Sequence, residues 1–207
     1  MHVIGVLNTK GGSAKTTVAS CLAVRAAADA PVAMLDLDPQ QSLSEWHGRR
    51  GSPSNPALID GAERASDAVE TLRMTTSYEY VFMDGPPGAL LVTEDAVRCA
   101  TLVVVPLRPS GLDVGASRDA IQLCQDAGVP LVAVIADRGQ HDGKLEQHAR
   151  TTLERWGVTV ADTAIAHRTQ YVNAVTTGST GPEKDRRAAE EIDRLWAEIV
   201  AKLRETR

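Results

Sequence analysis

The chain has 207 residues, 43% of them apolar, and a formal net charge of -5. This composition supports one sizeable core, so we expect residues 1–207 to form a single domain. The acidic balance excludes a protein that is basic throughout, and the few aromatic residues disfavour stacking on single-stranded nucleic acid. Any DNA contact should therefore come from a local patch of Lys and Arg on duplex phosphates.

Neither the first residues nor the cysteines indicate export. The segment Met1–Leu7 lacks a basic leader, and its apolar run breaks at Asn8, too early for a signal peptide or membrane span. We therefore expect a cytoplasmic protein. The three cysteines are odd in number and widely spaced, which predicts buried free thiols at Cys21, Cys99 and Cys124.

Apolar runs of strand length recur along the chain, with helical patterns between most of them. They lie at Val3–Leu7, Val32–Leu35, Tyr80–Met83, Leu102–Val105 and Leu131–Ile135. Continuous runs are typical of strands that are buried on both faces. The pattern predicts an α/β fold with a doubly wound, mostly parallel sheet, helices on both faces, and a ligand site at the carboxyl ends of the strands. Gly48–Asn55 and Thr176–Pro182 are predicted loops.

A glycine-containing loop follows the first strand and precedes an Ala/Val/Leu-rich helix, predicted from about Thr16 to Ala28. It reads Asn8-Thr9-Lys10-Gly11-Gly12-Ser13-Ala14-Lys15-Thr16-Thr17. A strand, such a loop and a helix N-terminus together point backbone N–H groups at phosphate. In these roles Lys15 would hold the β- and γ-phosphates, and the Thr16 hydroxyl would bind Mg²⁺.

The loop resembles the deviant Walker A motif of the ParA/MinD family of P-loop ATPases, with Ala14 where that family normally has glycine. The resemblance implies binding of ATP and Mg²⁺ by residues 10–17. It also implies that Lys10 reaches the nucleotide of a partner subunit, so that ATP binding and homodimer formation are coupled, and that Lys10 and Lys15 serve catalysis.

Two acidic segments follow later strands. Asp36-Leu37-Asp38-Pro39-Gln40 resembles the switch I motif of ParA proteins. Since residues two apart in a strand project the same way, both carboxylates could face the phosphates. Asp38 is the candidate for orienting the attacking water, whereas Asp36 would support the metal shell or the loop lysines.

The second acidic segment, Asp84-Gly85-Pro86-Pro87-Gly88, resembles the Walker B and switch II region of the family. Asp84 would hold Mg²⁺ through water. Gly85, Pro86, Pro87 and Gly88 would form the loop that senses the γ-phosphate.

Two further segments resemble family motifs. The segment Val103–Asp113 resembles one beside the dimer interface, and there Asp113 is either an N-cap or an interface residue. Ala136-Asp137-Arg138 matches the region of the adenine contacts, which makes Arg138 a candidate nucleotide ligand, although the usual Asn is absent.

The C-terminal region resembles that of small ParA/ParF-like plasmid partition proteins, in which arginines build a nonspecific DNA-binding patch. The candidates here are Arg150, Arg155, Arg168, Lys202 and Arg204. A last helix is predicted at about 183–204. It has an apolar face but balanced charges, so we expect it to pack on the sheet and not to bind a membrane as in MinD.

The resemblance implies a slow ATPase that drives plasmid or chromosome partition, associates with the nucleoid, and is stimulated by a small adaptor of the ParB-like or ribbon-helix-helix type. Positioning of a protein cargo, such as carboxysomes or chemoreceptor clusters, is the alternative, and a MinD-like membrane-associated division-site regulator is another. Two other classes of protein that share this loop motif fit the sequence less well. An iron–sulfur reductase would need paired cysteine ligands, and biotin- or cobalamin-pathway synthetases would need a separate substrate pocket.

Overall fold

The computed structural model describes residues 1–60 and 64–205. Seven strands form one sheet in the order β3-β2-β4-β1-β5-β6-β7, and all of their pairings are parallel. The strands are β1 His2–Val6, β2 Val32–Asp36, β3 Ala57–Leu58, β4 Tyr80–Asp84, β5 Leu102–Leu107, β6 Leu131–Ile135 and β7 Thr159–Val160. Strands β2, β4, β1 and β5 are adjacent in the sheet, so the loops after their carboxyl ends lie side by side.

Helices connect the strands and cover both faces of the sheet. They are α1 Lys15–Ala27, α2 Ser42–Arg49, α3 Ala65–Thr75, α4 Leu90–Cys99, α5 Gly111–Ala116, α6 Arg118–Ala127, α7 Gly143–Arg155, α8 Thr169–Thr177 and α9 Arg186–Glu205. Residues of β1 alternate between two cores: Ile4 and Val6 face α1 and α9, whereas Val3, and Leu7 just after the strand, face the opposite layer. The predicted doubly wound fold is confirmed.

The strand boundaries differ from the sequence prediction in instructive ways. The predicted strand ended at Val105, directly before Pro106. In the structure β5 continues through Pro106 to Leu107, whose carbonyl accepts a hydrogen bond from the Ala136 N–H at 2.9 Å. The edge strands β3 and β7 have two residues each, too few to give a periodic pattern.

The last helix begins at Arg186, not near 183, because Asp185 acts as its cap. The Asp185 Oδ1 atom accepts hydrogen bonds from the N–H groups of Arg187 (2.7 Å) and Ala188 (3.1 Å). The apolar face of α9 is buried against the rest of the molecule, with Trp196 in edge contact with the ring of Tyr80. No helix within residues 1–60 and 64–205 is long and apolar enough to cross a membrane.

All three cysteines are free, as predicted, and two of them, Cys21 and Cys124, are buried. Cys99 is half-buried, which differs from the prediction, because it lies at the end of α4. Burial raises the pKa of its thiol to about 11, so the thiol is protonated and unreactive at neutral pH.

Candidate functional site

The phosphate loop, residues 8–17, leaves the end of β1 in the middle of the sheet. Its base is fixed by the buried side chain of Asn8, whose Nδ2 donates to the Pro106 carbonyl at 2.8 Å and to Ser117 Oγ at 2.9 Å. The Asn8 Oδ1 atom accepts a hydrogen bond from the N–H of Lys10 at 3.0 Å. One amide therefore ties the loop both to β5 and to α6.

The middle of the loop is arranged as an anion cradle. Within the described residues, the N–H groups of residues 11–14 donate to no other group. The loop runs directly into the N-terminus of α1, where further N–H groups lack an intrahelical acceptor. Unpaired N–H groups at a helix N-terminus favour a bound phosphate.

Ala14 adopts the left-handed conformation (φ 69°, ψ 23°) immediately before α1. A Cβ makes this conformation unfavourable by about 1–2 kcal/mol, and glycine avoids that cost. The structure therefore explains why the motif normally has glycine at this position: the turn into the helix requires a positive φ.

We expect Ala14→Gly to raise the free energy of unfolding by about 1 kcal/mol, because glycine relieves this strain. Urea denaturation of the nucleotide-free protein measures the effect. The matched control is Ala27→Gly in the last turn of the same helix, which should lower the stability by up to about 1 kcal/mol. Loss of stability in both variants would contradict the assignment of strain to Ala14.

The two lysines of the loop differ in their surroundings. Lys15 is buried, and its Nζ donates to the Lys10 carbonyl at 3.1 Å, which directs the ammonium back across the loop. Burial lowers the pKa of Lys15, and the negative charges of Asp84 and Asp38 oppose that shift. The side chain of Lys10 is exposed and makes no ion pair within the described part of the chain.

Asp84 ends β4 directly beside the loop and is fully buried. Neither of its carboxylate oxygens has a partner of good hydrogen-bond geometry among the described residues. Burial raises its pKa to about 7, the Thr16 hydroxyl and Lys15 oppose the shift, and the charges of Asp36 and Asp38 reinforce it. A buried carboxylate with unpaired oxygens next to a threonine hydroxyl fits a divalent cation.

The described residues contain no cluster of three His, Cys, Asp or Glu side chains that could enclose a metal by themselves. This agrees with Mg²⁺ chemistry, since Mg²⁺ commonly keeps several waters and uses one or two protein ligands together with phosphate oxygens. Thr16 and Asp84 are therefore the residues that fit the ion.

Asp36 is engaged in holding the loop that follows β2. Its Oδ1 accepts from the N–H of Asp38 at 3.1 Å, and its Oδ2 accepts from the N–H and Oγ of Ser44, both at 2.8 Å. Asp36 pairs with Asp84 in the register of β2 and β4, so the two carboxylates share one edge of the sheet. These contacts show that Asp36 holds the loop after β2. Asp38 lies half-buried in that loop, and its charge acts on both Lys15 and Asp84.

The segment from Gly85 to Gly88 lies against the phosphate loop. The N–H of Gly88 donates to the Thr9 carbonyl at 2.9 Å, and that of Gly85 to the Val6 carbonyl at 3.2 Å. A Cβ at Gly85 would lie 2.5 Å from Leu7 Cδ2, so a larger residue there would force the Leu7 side chain to move. A displacement of this segment would therefore reach the phosphate loop directly.

The structure corrects the possible capping role of Asp113. Ser110 is the N-cap of α5, and its Oγ accepts from the Asp113 N–H at 3.1 Å. Asp113 lies in the first turn, where its carboxylate accepts from the Ser110 hydroxyl. Asp113 therefore completes a reciprocal cap and does not begin the helix.

A cavity of about 320 Å³ opens beside the phosphate loop, between α1, the end of β6 and α8. Its walls include Gly12, Ala14, Thr17, Val18, Arg108, Asp137, Ile165, Ala166, His167, Arg168, Tyr171, Val172 and Val175. Its apolar lining and its position next to the anion cradle suit the base and sugar of a nucleotide.

Arg138, the predicted nucleotide ligand, does not line this cavity. Its side chain is paired with Glu146 of α7, and its backbone N–H donates to the Ile165 carbonyl at 3.0 Å. The neighbouring Asp137 lines the cavity, together with Arg108 and His167. These three residues come from separate segments, so no local sequence pattern predicts that they meet.

A scan against protein families extends these observations to most of the chain. The family described as the CobQ/CobB/MinD/ParA nucleotide binding domain matches residues 4–181. The chain belongs to this family. Residues 8–17, the acidic segments after β2 and β4, and the cavity all lie within the matched region.

Curated relatives of the chain include carboxysome-distribution proteins and a ParA protein. "Maintenance of carboxysome distribution protein A" of Halothiobacillus neapolitanus is 26% identical over 209 residues, covering 95% of each chain. The protein of that name from Gloeobacter kilaueensis is 31% identical over 210 residues, covering 94% of this chain and 95% of its own. "Protein ParA" of Rhizobium radiobacter is 35% identical over 126 residues, covering 59% of this chain and 56% of its own.

Solved structures agree with the P-loop fold of the family. The MinD cell division protein of Aquifex aeolicus superimposes with a TM-score of 0.80 at 16% identity, covering 97% of this chain and 98% of that one. A McdA variant of Cyanothece in complex with ATP gives a TM-score of 0.75 at 15% identity, covering 100% of this chain and 96% of that one. At such low identity these likenesses show the fold alone.

Proposed function

We propose that this family member is a ParA-type ATPase that binds Mg-ATP, forms an ATP-dependent homodimer, and carries cargo over DNA until an adaptor stimulates hydrolysis. It would be cytoplasmic and associated with the nucleoid. The observation that carries the proposal is the contrast between Lys15, buried beneath the loop, and Lys10, exposed above it. One ammonium can hold the nucleotide of its own subunit, and the other remains available to a partner.

The phosphate loop and the strand ends are proposed to bind the phosphates, to hold the metal ion and to orient the attacking water. The N–H groups of Gly11, Gly12, Ser13 and Ala14, together with those of Lys15, Thr16 and Thr17, would surround the phosphates, with Lys15 adding positive charge. Thr16 and Asp84 would hold Mg²⁺, which when bound neutralises charge on the β- and γ-phosphates. Asp38, half-buried in the loop after β2, is the group proposed to orient the attacking water.

Exposed apolar side chains support a dimer that forms at this edge of the sheet. Leu91 is 80% exposed at the start of α4, directly after switch II, and Leu112 is 87% exposed at the start of α5. Both helices flank the phosphate loop, since Thr9 contacts Gly88 on one side and Ala116 on the other. A partner subunit placed over Lys10 would cover these leucines.

The proposed DNA-binding residues differ in their availability. Arg150 donates to the carbonyls of Ala161 and Asp162, Arg168 is paired with Glu191, and Lys202 is paired with Glu205. These three are engaged within the protein. The structure leaves Arg155 and Arg204 exposed, and we propose that they contribute more to duplex phosphate contacts than Arg150 or Arg168.

Two cargoes are compatible with this cycle. Plasmid partition is favoured by the small size of the chain, by its C-terminal resemblance to ParF-like proteins, and by the ParA match. Positioning of a protein assembly is favoured by the two carboxysome-distribution relatives, which align with nearly the whole chain. The neighbouring genes can separate them, because a small DNA-binding adaptor beside a repeated DNA site would indicate a plasmid.

The test is sedimentation of the protein with nonspecific duplex DNA and with anionic liposomes, with and without ATP, alongside size-exclusion chromatography. We expect the wild-type protein to dimerise and to pellet with DNA when ATP is present. Lys10→Ala should bind ATP within about threefold of wild type but lose dimerisation and DNA pelleting, because the crossing ammonium is missing.

Lys184→Ala is the matched control, since it removes another exposed lysine, one that lies far along the chain between α8 and α9. It should behave as wild type. ATP-dependent dimers of Lys10→Ala in normal amount would refute the crossing role, and pelleting with liposomes alone would favour a MinD-like regulator.

A further inference from the structure

The cavity beside the phosphate loop has an apolar body and a polar rim. Val18, Ile165 and Tyr171 are buried side chains that line it, and Gly12 and Ala14 of the loop form one end. A ligand with its phosphates on the loop would therefore place its base within this lining. The polar rim must then decide which base is accepted.

Asp137 is the centre of that rim. Its backbone has a positive φ of 56°, a conformation that aspartate tolerates better than most residues. The Oδ2 atom is 2.7 Å from Arg108 Nε, and the Oδ1 atom is 2.5 Å from His167 Nδ1. A backbone hydrogen bond also holds the segments of Asp137 and His167 together, since the His167 N–H donates to the Arg138 carbonyl at 2.8 Å.

These contacts determine the tautomer of His167. Asp137 faces the guanidinium of Arg108 through Oδ2, and a carboxylate paired in this way can only accept hydrogen bonds. His167 Nδ1 must therefore carry a proton and donate it to Asp137. In the neutral ring the other nitrogen, Nε2, is then an acceptor with a free lone pair.

We propose that His167 is the base-selecting residue of this site, and that its Nε2 accepts a hydrogen bond from the exocyclic 6-amino group of adenine. The inference rests on the proposed function, since it assigns specificity within the same nucleotide site. A purine with an oxygen at position 6 would place an acceptor against the lone pair of Nε2. The rim therefore selects a 6-aminopurine and rejects a 6-oxopurine.

The test compares the affinities for ATP and inosine triphosphate, which differ at position 6 of the purine and in the proton at N1. We expect the wild-type protein to bind ATP at least about tenfold more tightly, because one hydrogen bond is exchanged for a repulsive contact. His167→Ala should bind the two nucleotides within about threefold of each other. The side chain of His167 is 58% exposed, so the variant should fold.

His148→Ala, which removes an exposed histidine on α7, is the matched control and should keep the wild-type preference. Equal affinities in the wild-type protein, or an unchanged preference in His167→Ala, would overturn the role of His167 and leave the proposed ATPase intact. An equal loss of affinity for both nucleotides in His167→Ala would likewise overturn it. Failure of the wild-type protein to bind either nucleotide would overturn both proposals.

Discussion

Replacing Lys15 by alanine should weaken ATP binding by at least about 100-fold, because it removes a charge-assisted contact to the phosphates from a partly desolvated site. Lys15 is buried at the start of α1, and its ammonium lies under the loop through its bond to the Lys10 carbonyl. No other side chain amine of the loop is placed to substitute, since Lys10 is exposed. Isothermal titration with ATP gives the affinity.

The fold should survive this change. Alanine is a good helix residue, and the loss removes a buried charge whose pKa is already lowered by burial. Asp84 loses a counter-charge, but its raised pKa of about 7 allows the carboxyl to take up a proton. Circular dichroism should therefore be unchanged, and Lys10→Ala serves as the matched loop variant with near-normal affinity. An affinity of Lys15→Ala within about fivefold of wild type would remove Lys15 from the phosphate site.

Gly178→Ala should lower the free energy of unfolding by about 3 kcal/mol or more, since strain and overlap act together. Gly178 ends α8 with a φ of 69°. A Cβ there would lie 2.3 Å from the backbone C of Arg49 and from the backbone N of Arg50. Backbone atoms cannot rotate away as a side chain can, so α8 would have to separate from α2.

The matched control for this prediction is Gly128→Ala at the end of α6. Gly128 has nearly the same φ, 66°, but a Cβ there meets no atom within 4 Å. It should cost about 1 kcal/mol from backbone strain alone. Urea denaturation of both variants gives the difference. Equal losses would show that the contact between α8 and α2 does not resist the added methyl group.

The central fold could be predicted because its signals are local. A strand buried on both faces needs a continuous apolar run, and five of the seven strands have one. The phosphate loop was equally predictable, since β1, the loop and α1 are contiguous in the chain. The edge strands β3 and β7 escaped prediction because two residues carry no periodicity, and their pairing depends on β2 and β6.

Side-chain availability could not be predicted in the same way. Arg150 and Arg168 appear in the sequence as exposed basic residues, but the fold brings carboxylates and carbonyls to them. Arg138 was favoured as a nucleotide ligand, yet it is paired with Glu146. Whether these arginines are free to bind a ligand depends on carboxylates and carbonyls of other helices and strands. The order of residues along the chain does not show which of these groups come close.

The sequence by itself determined the parallel sheet, the deviant phosphate loop and the acidic strand ends, because each depends on neighbours within a few residues. Only the tertiary structure decided that no described residue gives the Asp84 carboxylate a hydrogen bond of good geometry, that Ala14 is strained, and that Asp137 aligns His167 at the rim of the cavity. The physical reason is that burial, hydrogen-bond satisfaction and charge pairing are properties of assembled surfaces. Segments distant in sequence set them when the sheet and its helices close around the loop.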